Sequence, residues 1–439
     1  MMQPAKDIAT LLRGLDDRVP RYTSYPTADR FRRDVGEAQY REAVREGNAL
    51  PLPPPLSVYV HVPFCRSLCY YCGCNKVVTR HFRKAAEYLR TLFAEIEWHA
   101  ELFDADRMVD QLHLGGGTPT FLSDTQLRSL MDCIGANFRM DTSDNREFSI
   151  EIDPRTVDVN RARSLIGMGF NRFSLGVQDF DPEVQQRINR VQPYELVSEL
   201  MDALRGPQIS ISFDLIYGLP LQNPVNFRDT IARTIELAPD RIAVYRYAHL
   251  PERFKSQRLL DADRPDLDQR IEMFVAAREM LLDAGYVAIG LDHFAKPDDE
   301  LSIAWHDGTL QRNFQGYSTR GGRDLIAVGP SAIGSVQDCF VQNRASFKDW
   351  QAAVDAGQSA IVRGYVLESD DRMRSGIIQD LMCRCETDLN RAARRYGQEW
   401  DNLFAEEMGD LGRLSRSGLI EIDGSRIVAT DQGRLALRQ

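Results

Sequence analysis

Long apolar runs are missing from these 439 residues: none approaches the roughly 18 that cross a bilayer. Met1–Pro20 also lacks the apolar core of a secretion signal, mixing Asp, Arg and Lys throughout. The expectation is a cytoplasmic protein with no membrane span. An excess of positive charge is missing too. With 54 Lys and Arg against 64 Asp and Glu the chain carries −10, which argues against a nucleic-acid partner, because neutralising phosphates needs a basic face. Cysteine is scarce at eight residues, too few for a disulfide scaffold. Histidine is scarcer still, seven in all and none in H-x₃₋₅-H spacing.

What is present is order along the chain. Short apolar runs at Ser57–Phe64, Gln111–Leu114, Phe148–Ile152, Arg172–Val177, Ile211–Tyr217 and Arg241–Tyr247 alternate with stretches of helical periodicity near 84–103, 124–137, 157–168, 194–205, 225–237 and 267–284. Six strands each followed by a helix predict a parallel sheet clothed in helices, either closed as a barrel or left open and curved. Function in such folds collects at the C-terminal ends of the strands. Residues 292–343 read as irregular. The last seventy-odd residues read as three helical stretches and a hairpin, a winged-helix shape. Residues 366–439 hold 14 acidic and 11 basic side chains, so packing onto the main domain is preferred to DNA binding. The expected division is 1–50 as an N-terminal arm, 51–365 as the strand–helix domain with an extension, and 366–439 as a small C-terminal domain. A stiff Pro51–Pro55 segment leads into the first strand.

Four of the eight cysteines fall between positions 65 and 74, just after the first strand. Cys65, Cys69 and Cys72 follow C-x₃-C-x₂-C. A [4Fe-4S] cube normally takes four thiolates, and three would leave one iron open to a small chelating molecule. Cys74 could be a fourth ligand or a neighbour. Zinc is the competing metal, but it asks for paired C-x₂-C or a matching His pair. Cys133 in a helix and Cys339 in a loop read as structural, and Cys383 and Cys385 point to different faces of a helix. Gly115-Gly-Gly-Thr118 after the second strand lets backbone approach a ligand; a plain tight turn is the rival reading. Glu151 and Asp153 close the third strand at the expected mouth, and His61 shares a face with Tyr59.

The spacing C-x₃-C-x-aromatic-C, with Tyr71 as the aromatic, resembles the signature of the radical SAM superfamily. Pro20-Arg-Tyr-Thr-Ser-Tyr-Pro-Thr27, Cys72-Gly-Cys-Asn-Lys76, Gly115-Gly-Gly-Thr-Pro-Thr120, Gly176-Val-Gln-Asp-Phe180, Asp214-Leu-Ile-Tyr-Gly-Leu-Pro220 and Asn313-Phe-Gln-Gly-Tyr317 together resemble the oxygen-independent coproporphyrinogen III oxidases (dehydrogenases) over about residues 20–435. The resemblance implies an incomplete (β/α)₆ TIM-like barrel with a small, mainly helical, winged-helix-like C-terminal domain. It implies a [4Fe-4S] cluster on Cys65, Cys69 and Cys72 and two S-adenosylmethionine molecules per active site. One electron would split the cofactor into methionine and a 5′-deoxyadenosyl radical, and two propionates of coproporphyrinogen III would become the vinyls of protoporphyrinogen IX in haem biosynthesis.

Carried over residue by residue, Tyr59, Tyr71, Gly116, Gly117, Thr118, Glu151, Gln178, Arg190, Asp214, Ala248 and Ile333 are cofactor contacts. Tyr59 and His61 are catalytic candidates. Arg21 and Tyr22 of the arm, with Gln315, are substrate contacts. A low-potential donor such as flavodoxin or ferredoxin and a monomeric state are expected. Arg246 stands where the family is expected to have Asn, and the chain ends at Gln439 where relatives are expected to carry a further helical tail. A haem-trafficking protein or another radical SAM tetrapyrrole enzyme or methyltransferase remains the alternative.

Overall fold

The computed structural model describes residues 24–397 and 399–437. Contacts divide the chain into two compact units, one of residues 31–265 and 322–366, the other of residues 1–30, 266–321 and 367–439.

In the larger unit the alternation of apolar runs becomes six parallel strands: β1 (Leu56–Val62), β2 (Met108–Gly116), β3 (Glu147–Ile152), β4 (Arg172–Gln178), β5 (Ser210–Tyr217) and β6 (Arg241–Arg246). Each pairs with the one before it in parallel. The longer helices between them are α1 (Arg83–Ala100), α2 (Asp124–Asn137), α3 (Val159–Gly167), α4 (Tyr194–Leu204) and α5 (Pro224–Leu237). Their starts follow local chemistry: the Ser123, Asp158 and Asn223 side chains accept backbone N–H groups from the first turns of α2, α3 and α5. Strand residues facing the helices form the core, with Val58, Val60, Leu112, Leu114, Ile150, Leu175, Phe213 and Val244 essentially inaccessible. β1 and β6 are not paired in the strand order, so the (β/α)₆ array is incomplete as a barrel.

Residues 324–343, expected to be irregular, instead extend this sheet. β7 (Asp324–Val328) pairs in parallel with β1, and β8 (Ile333–Val336), β9 (Cys339–Asn343) and β10 (Ile361–Val366) follow antiparallel. Cys339 therefore lies in a buried strand and not in a loop. The cause is long-range pairing. Every residue of β7 is buried, and its five positions align with Leu56–Val60, more than 260 residues earlier, which local periodicity cannot reveal. Residues 31–50, expected to be arm, hold a helix at Glu37–Asn48 with Tyr40 and Val44 buried. The Tyr40 hydroxyl meets His99 Nδ1 of α1 at 2.8 Å.

In the second unit, residues 266–321 group with the C-terminal residues, where the sequence placed them with the barrel. Ile289, Leu291, Ala295, Leu301 and Leu310 share one core with Met382 and Cys383. Helices Ser369–Arg384, Leu389–Arg394 and Ala405–Arg416 accompany a three-stranded sheet of 386–388, 426–429 and 420–423, packed around Met373, Leu389, Phe404 and Ile427. This is the winged-helix-like arrangement expected from the sequence. Among the described residues, no helix is long and apolar enough to cross a membrane.

Candidate active site

The C-terminal ends of β2 to β6 and the cysteine loop after β1 surround a cavity of about 300 Å³. Cys65, Cys69, Cys72, Tyr71, Gly116, Gly117, Thr118, Glu151, Gln178, Arg190 and Asp214 all line it. The polar ends of separate strands thus meet where parallel α/β sheets place their sites.

The loop is held at both ends. Phe64–Cys65 pairs with Val77–Val78, and Cys65 O accepts the Thr79 N–H at 2.9 Å. On the far side Tyr70 N–H donates to Ile188 O at 3.0 Å and Asn189 Nδ2 to Leu68 O at 2.7 Å. Tyr70 and Tyr71 pack on a buried cluster of Val184, Ile188, Leu219, Tyr247 and Leu260. Gln257 Nε2 donates to both Tyr71 O (2.8 Å) and Ala248 O (3.1 Å), which ties the loop to the segment after β6.

Donors converge on the sulfurs. Thr118 Oγ1 lies 3.5 Å from Cys65 Sγ. Arg155 Nη2 and Arg190 Nη1 each lie 3.6 Å from Cys69 Sγ, and Cys74 N–H points at Cys72 Sγ from 3.4 Å. Hydrogen bonding from Cys74, with Lys76 nearby, brings the Cys72 thiol down to about 6 against the opposing effect of burial. Burial pushes Cys65 up to about 11. Among the described residues, no three His, Cys, Asp or Glu side chains come close enough together to hold a single metal ion. A cubane needs three thiolates spread round one pocket, each reaching a different iron, with hydrogen bonds to sulfur that stabilise the anionic cluster. The three thiols and their donors fit that group.

The glycine run permits close packing at two points. A side chain on Gly116, whose φ is +117°, would stand 2.9 Å from the His61 ring and from Val62 O; one on Gly117 would stand 2.8 Å from Pro63 O. Gly116 N–H instead donates to Glu151 Oε2 at 3.2 Å. Glu151 Oε1 is 3.2 Å from His113 Nε2, and His113 stacks on Tyr59 with ring centroids 5.6 Å apart.

Tyr59 and His61 are not among the residues lining the cavity. Tyr59 hydroxyl meets His61 Nδ1 at 3.0 Å, and His61 Nε2 meets Asn75 O at 2.9 Å. A carbonyl can only accept, so Nε2 carries the proton and Nδ1 accepts from Tyr59. Burial holds the imidazole below its ordinary pKa. Ala248 is exposed just beyond β6, and Ile333 is half-buried at the start of β8; neither lines the cavity. Gln315 belongs to the other unit, and Arg21 and Tyr22 lie outside the described residues.

Sequence reasoning passed over Arg155, Ser174, Lys76 and Tyr245, which also line the cavity. Asp153-Pro-Arg155 was within reach of the rule that polar residues directly after a strand face the mouth. Burial would raise the Asp153 carboxyl, but Arg190 (3.3 Å) and Arg155 (2.7 Å) together hold it below the usual carboxylate range.

Asp214 accepts from Ser174 Oγ at 2.8 Å, yet burial raises it to about 6. Its folded pKa exceeds the ordinary 3.8, so the native state binds the proton more tightly. Stability from this group is therefore present at acid pH and lost as pH rises from about 4 to about 6, by at most about 3 kcal/mol. Asp214→Asn is expected to gain in Tm relative to the parent on going from pH 4.5 to pH 7; thermal unfolding at both values checks the sign.

Comparison with known proteins agrees with this geometry. Residues 59–234 match the Radical SAM superfamily and residues 367–436 match the HemN C-terminal domain. The oxygen-independent coproporphyrinogen III oxidase of Pseudomonas aeruginosa is 46% identical, over 98% of this chain and 94% of its own length. That of Escherichia coli is 44% identical over 95% and 91%. A solved structure of coproporphyrinogen III oxidase (HemN) from Escherichia coli, described as a radical SAM enzyme, superposes with a TM-score of 0.90 at 44% identity, covering 95% of each chain.

Proposed function

The chain belongs to the oxygen-independent coproporphyrinogen III oxidases of the radical SAM superfamily, and on that premise we propose that its cavity converts two propionates of coproporphyrinogen III to the vinyls of protoporphyrinogen IX. The observation that carries this is the meeting of Cys65, Cys69 and Cys72 with the Gly116–Thr118 strip, Glu151, Gln178, Arg190 and Asp214 around one cavity. When bound, the [4Fe-4S] cluster and S-adenosylmethionine supply one-electron chemistry able to take a hydrogen atom from an unactivated carbon.

The chain's own residues do the rest. Cys65, Cys69 and Cys72 would hold the cluster, while Thr118, Arg155 and Arg190 direct O–H and N–H groups at the Cys65 and Cys69 sulfurs. Tyr71, Gln178, Arg190 and Asp214 face the space for S-adenosylmethionine, and the peptide groups of Gly116 and Gly117 allow its close approach. Glu151, braced by His113 and the Gly116 N–H, offers a carboxylate to an ammonium or ribose hydroxyls. Ala248 and Ile333 are assigned backbone or apolar contacts, and two S-adenosylmethionine molecules share the site. His61, neutral and bonded at both nitrogens, positions the end of the cysteine loop through Asn75, with Tyr59 as its partner; both act through the loop. Arg21, Tyr22 and Gln315 are assigned to the substrate's carboxylates and ring. The reading includes a cytoplasmic, monomeric enzyme fed by a low-potential donor.

The test is anaerobic. Reconstituted protein given dithionite, S-adenosylmethionine and coproporphyrinogen III is expected to yield 5′-deoxyadenosine and protoporphyrinogen IX, read by mass spectrometry. 5′-Deoxyadenosine without the tetrapyrrole product would reject the substrate.

A further inference from the structure

Residues Gly47 to Ala86 contain no aspartate or glutamate, in a chain that has 64 of them. The same forty residues contain Arg66, Lys76, Arg80, Arg83 and Lys84, and they enclose the cysteine loop. Lys76 is turned onto the loop, its Nζ 2.9 Å from Cys72 O. The other four are exposed, and none forms an ion pair among the described residues. Arg83 and Lys84 open α1, whose first turn has no acidic residue, against the preference of a helix N-terminus for negative charge. A local rule broken without structural compensation points to a use elsewhere.

Phe82, directly before Arg83 and Lys84 in the chain, is 53% exposed. It stacks on Phe121 with ring centroids 5.2 Å apart, and the Arg66 guanidinium lies 5.3 Å from its centroid. Val78, in the same stretch of chain, is 45% exposed and is the pairing partner of Cys65. An exposed aromatic rimmed by unpaired cations has the make-up of an interface centre. The same segment is joined to a cysteine of the site through the pairing of Val78 with Cys65.

We propose that Arg66, Arg80, Phe82, Arg83 and Lys84 form the docking face for an acidic one-electron carrier protein, and that it delivers its electron beside Cys65. The inference rests on the reading that Cys65, Cys69 and Cys72 hold the cluster. One electron leaves the reduced carrier and enters the cluster; no proton or group moves with it. Charge complementarity selects the carrier. Both proteins would be anionic overall, so approach needs a local positive field acting within a Debye length of roughly 8 Å at physiological salt.

Reduced flavodoxin serves as the acidic probe. Its affinity for the reconstituted enzyme is measured from about 50 to about 300 mM salt, for the parent and for the triple variants Arg80→Glu/Arg83→Glu/Lys84→Glu and Arg80→Gln/Arg83→Gln/Lys84→Gln. Reversal is expected to weaken binding about tenfold or more and to flatten its salt dependence, with the neutral variant in between. 5′-Deoxyadenosine formation driven by flavodoxin should fall in parallel, while formation driven by dithionite stays within about twofold of the parent. Unchanged binding, or an equal loss with dithionite, overturns the docking face. Absence of 5′-deoxyadenosine from the parent with dithionite would instead overturn the reading of the cluster, and the binding titration would still decide the surface.

Discussion

Iron is expected to fall from about four atoms to below one per chain when Cys69 is replaced by alanine, with the fold intact. Cys69 is the buried member of the three, 7% exposed, and its sulfur is the one that two guanidinium groups address. Without it only two of the three ligand thiols remain, and Arg155 and Arg190 lose the sulfur they address. S-adenosylmethionine cleavage is expected to drop roughly a thousandfold or more, about 4 kcal/mol in activation free energy. Cys74→Ala is the control. The substitution removes the Cys74 side-chain hydrogen bond that does most to lower the Cys72 thiol, but it keeps the backbone N–H directed at Cys72 Sγ and leaves Cys65, Cys69 and Cys72 in place, so iron should be retained. Iron and sulfide assays with circular dichroism on anaerobically reconstituted protein separate the two outcomes. Equal iron in Cys69→Ala and the parent would remove Cys69 from the ligand set.

Particular residues explain why this much was legible in the amino-acid sequence. The strands β1 to β6 announce themselves because buried parallel strands are short apolar runs, and Cys65, Cys69 and Cys72 because ligand spacing is local. The glycine strip follows a strand and is equally local. What stayed hidden depends on residues far apart in sequence. Nothing near Asp324 says that it will align with Leu56, and nothing in 266–321 says that it will share a core with Met382 and Cys383. Arg155 was not singled out from the sequence. It becomes part of the site only because the loop after β3 brings it within 3.6 Å of a sulfur contributed 86 positions earlier. Tyr59 and His61 show the converse: their shared face was legible, but not that this face would point to Asn75 O and His113 in place of the cavity.

Arg190→Leu carries the other large effect, and it separates positioning from mere proximity. Arg190 is buried, and its guanidinium has three partners: Gly176 O at 2.6 Å, Asp153 Oδ2 at 3.3 Å and Cys69 Sγ at 3.6 Å. Removing one member of a buried pair costs about 3–5 kcal/mol when the remaining charge is orphaned. Here Asp153 keeps Arg155, and Gly176 O keeps the Gln192 amide at 3.1 Å, so the lower end, about 3 kcal/mol, is expected in chemical denaturation at pH 7. Asp153→Asn in the same background should restore part of that loss, because it neutralises a buried carboxylate left with one of its two cations; a coupling of about 1–2 kcal/mol is expected from the double-mutant cycle. S-adenosylmethionine affinity should not recover with it. Asp153→Asn does not replace the donor that faces Cys69 or the cation that faces the cavity, so affinity is expected to stay about 10–100-fold below the parent in both variants. Full recovery of affinity in the double variant would mean that Arg190 serves only to neutralise Asp153.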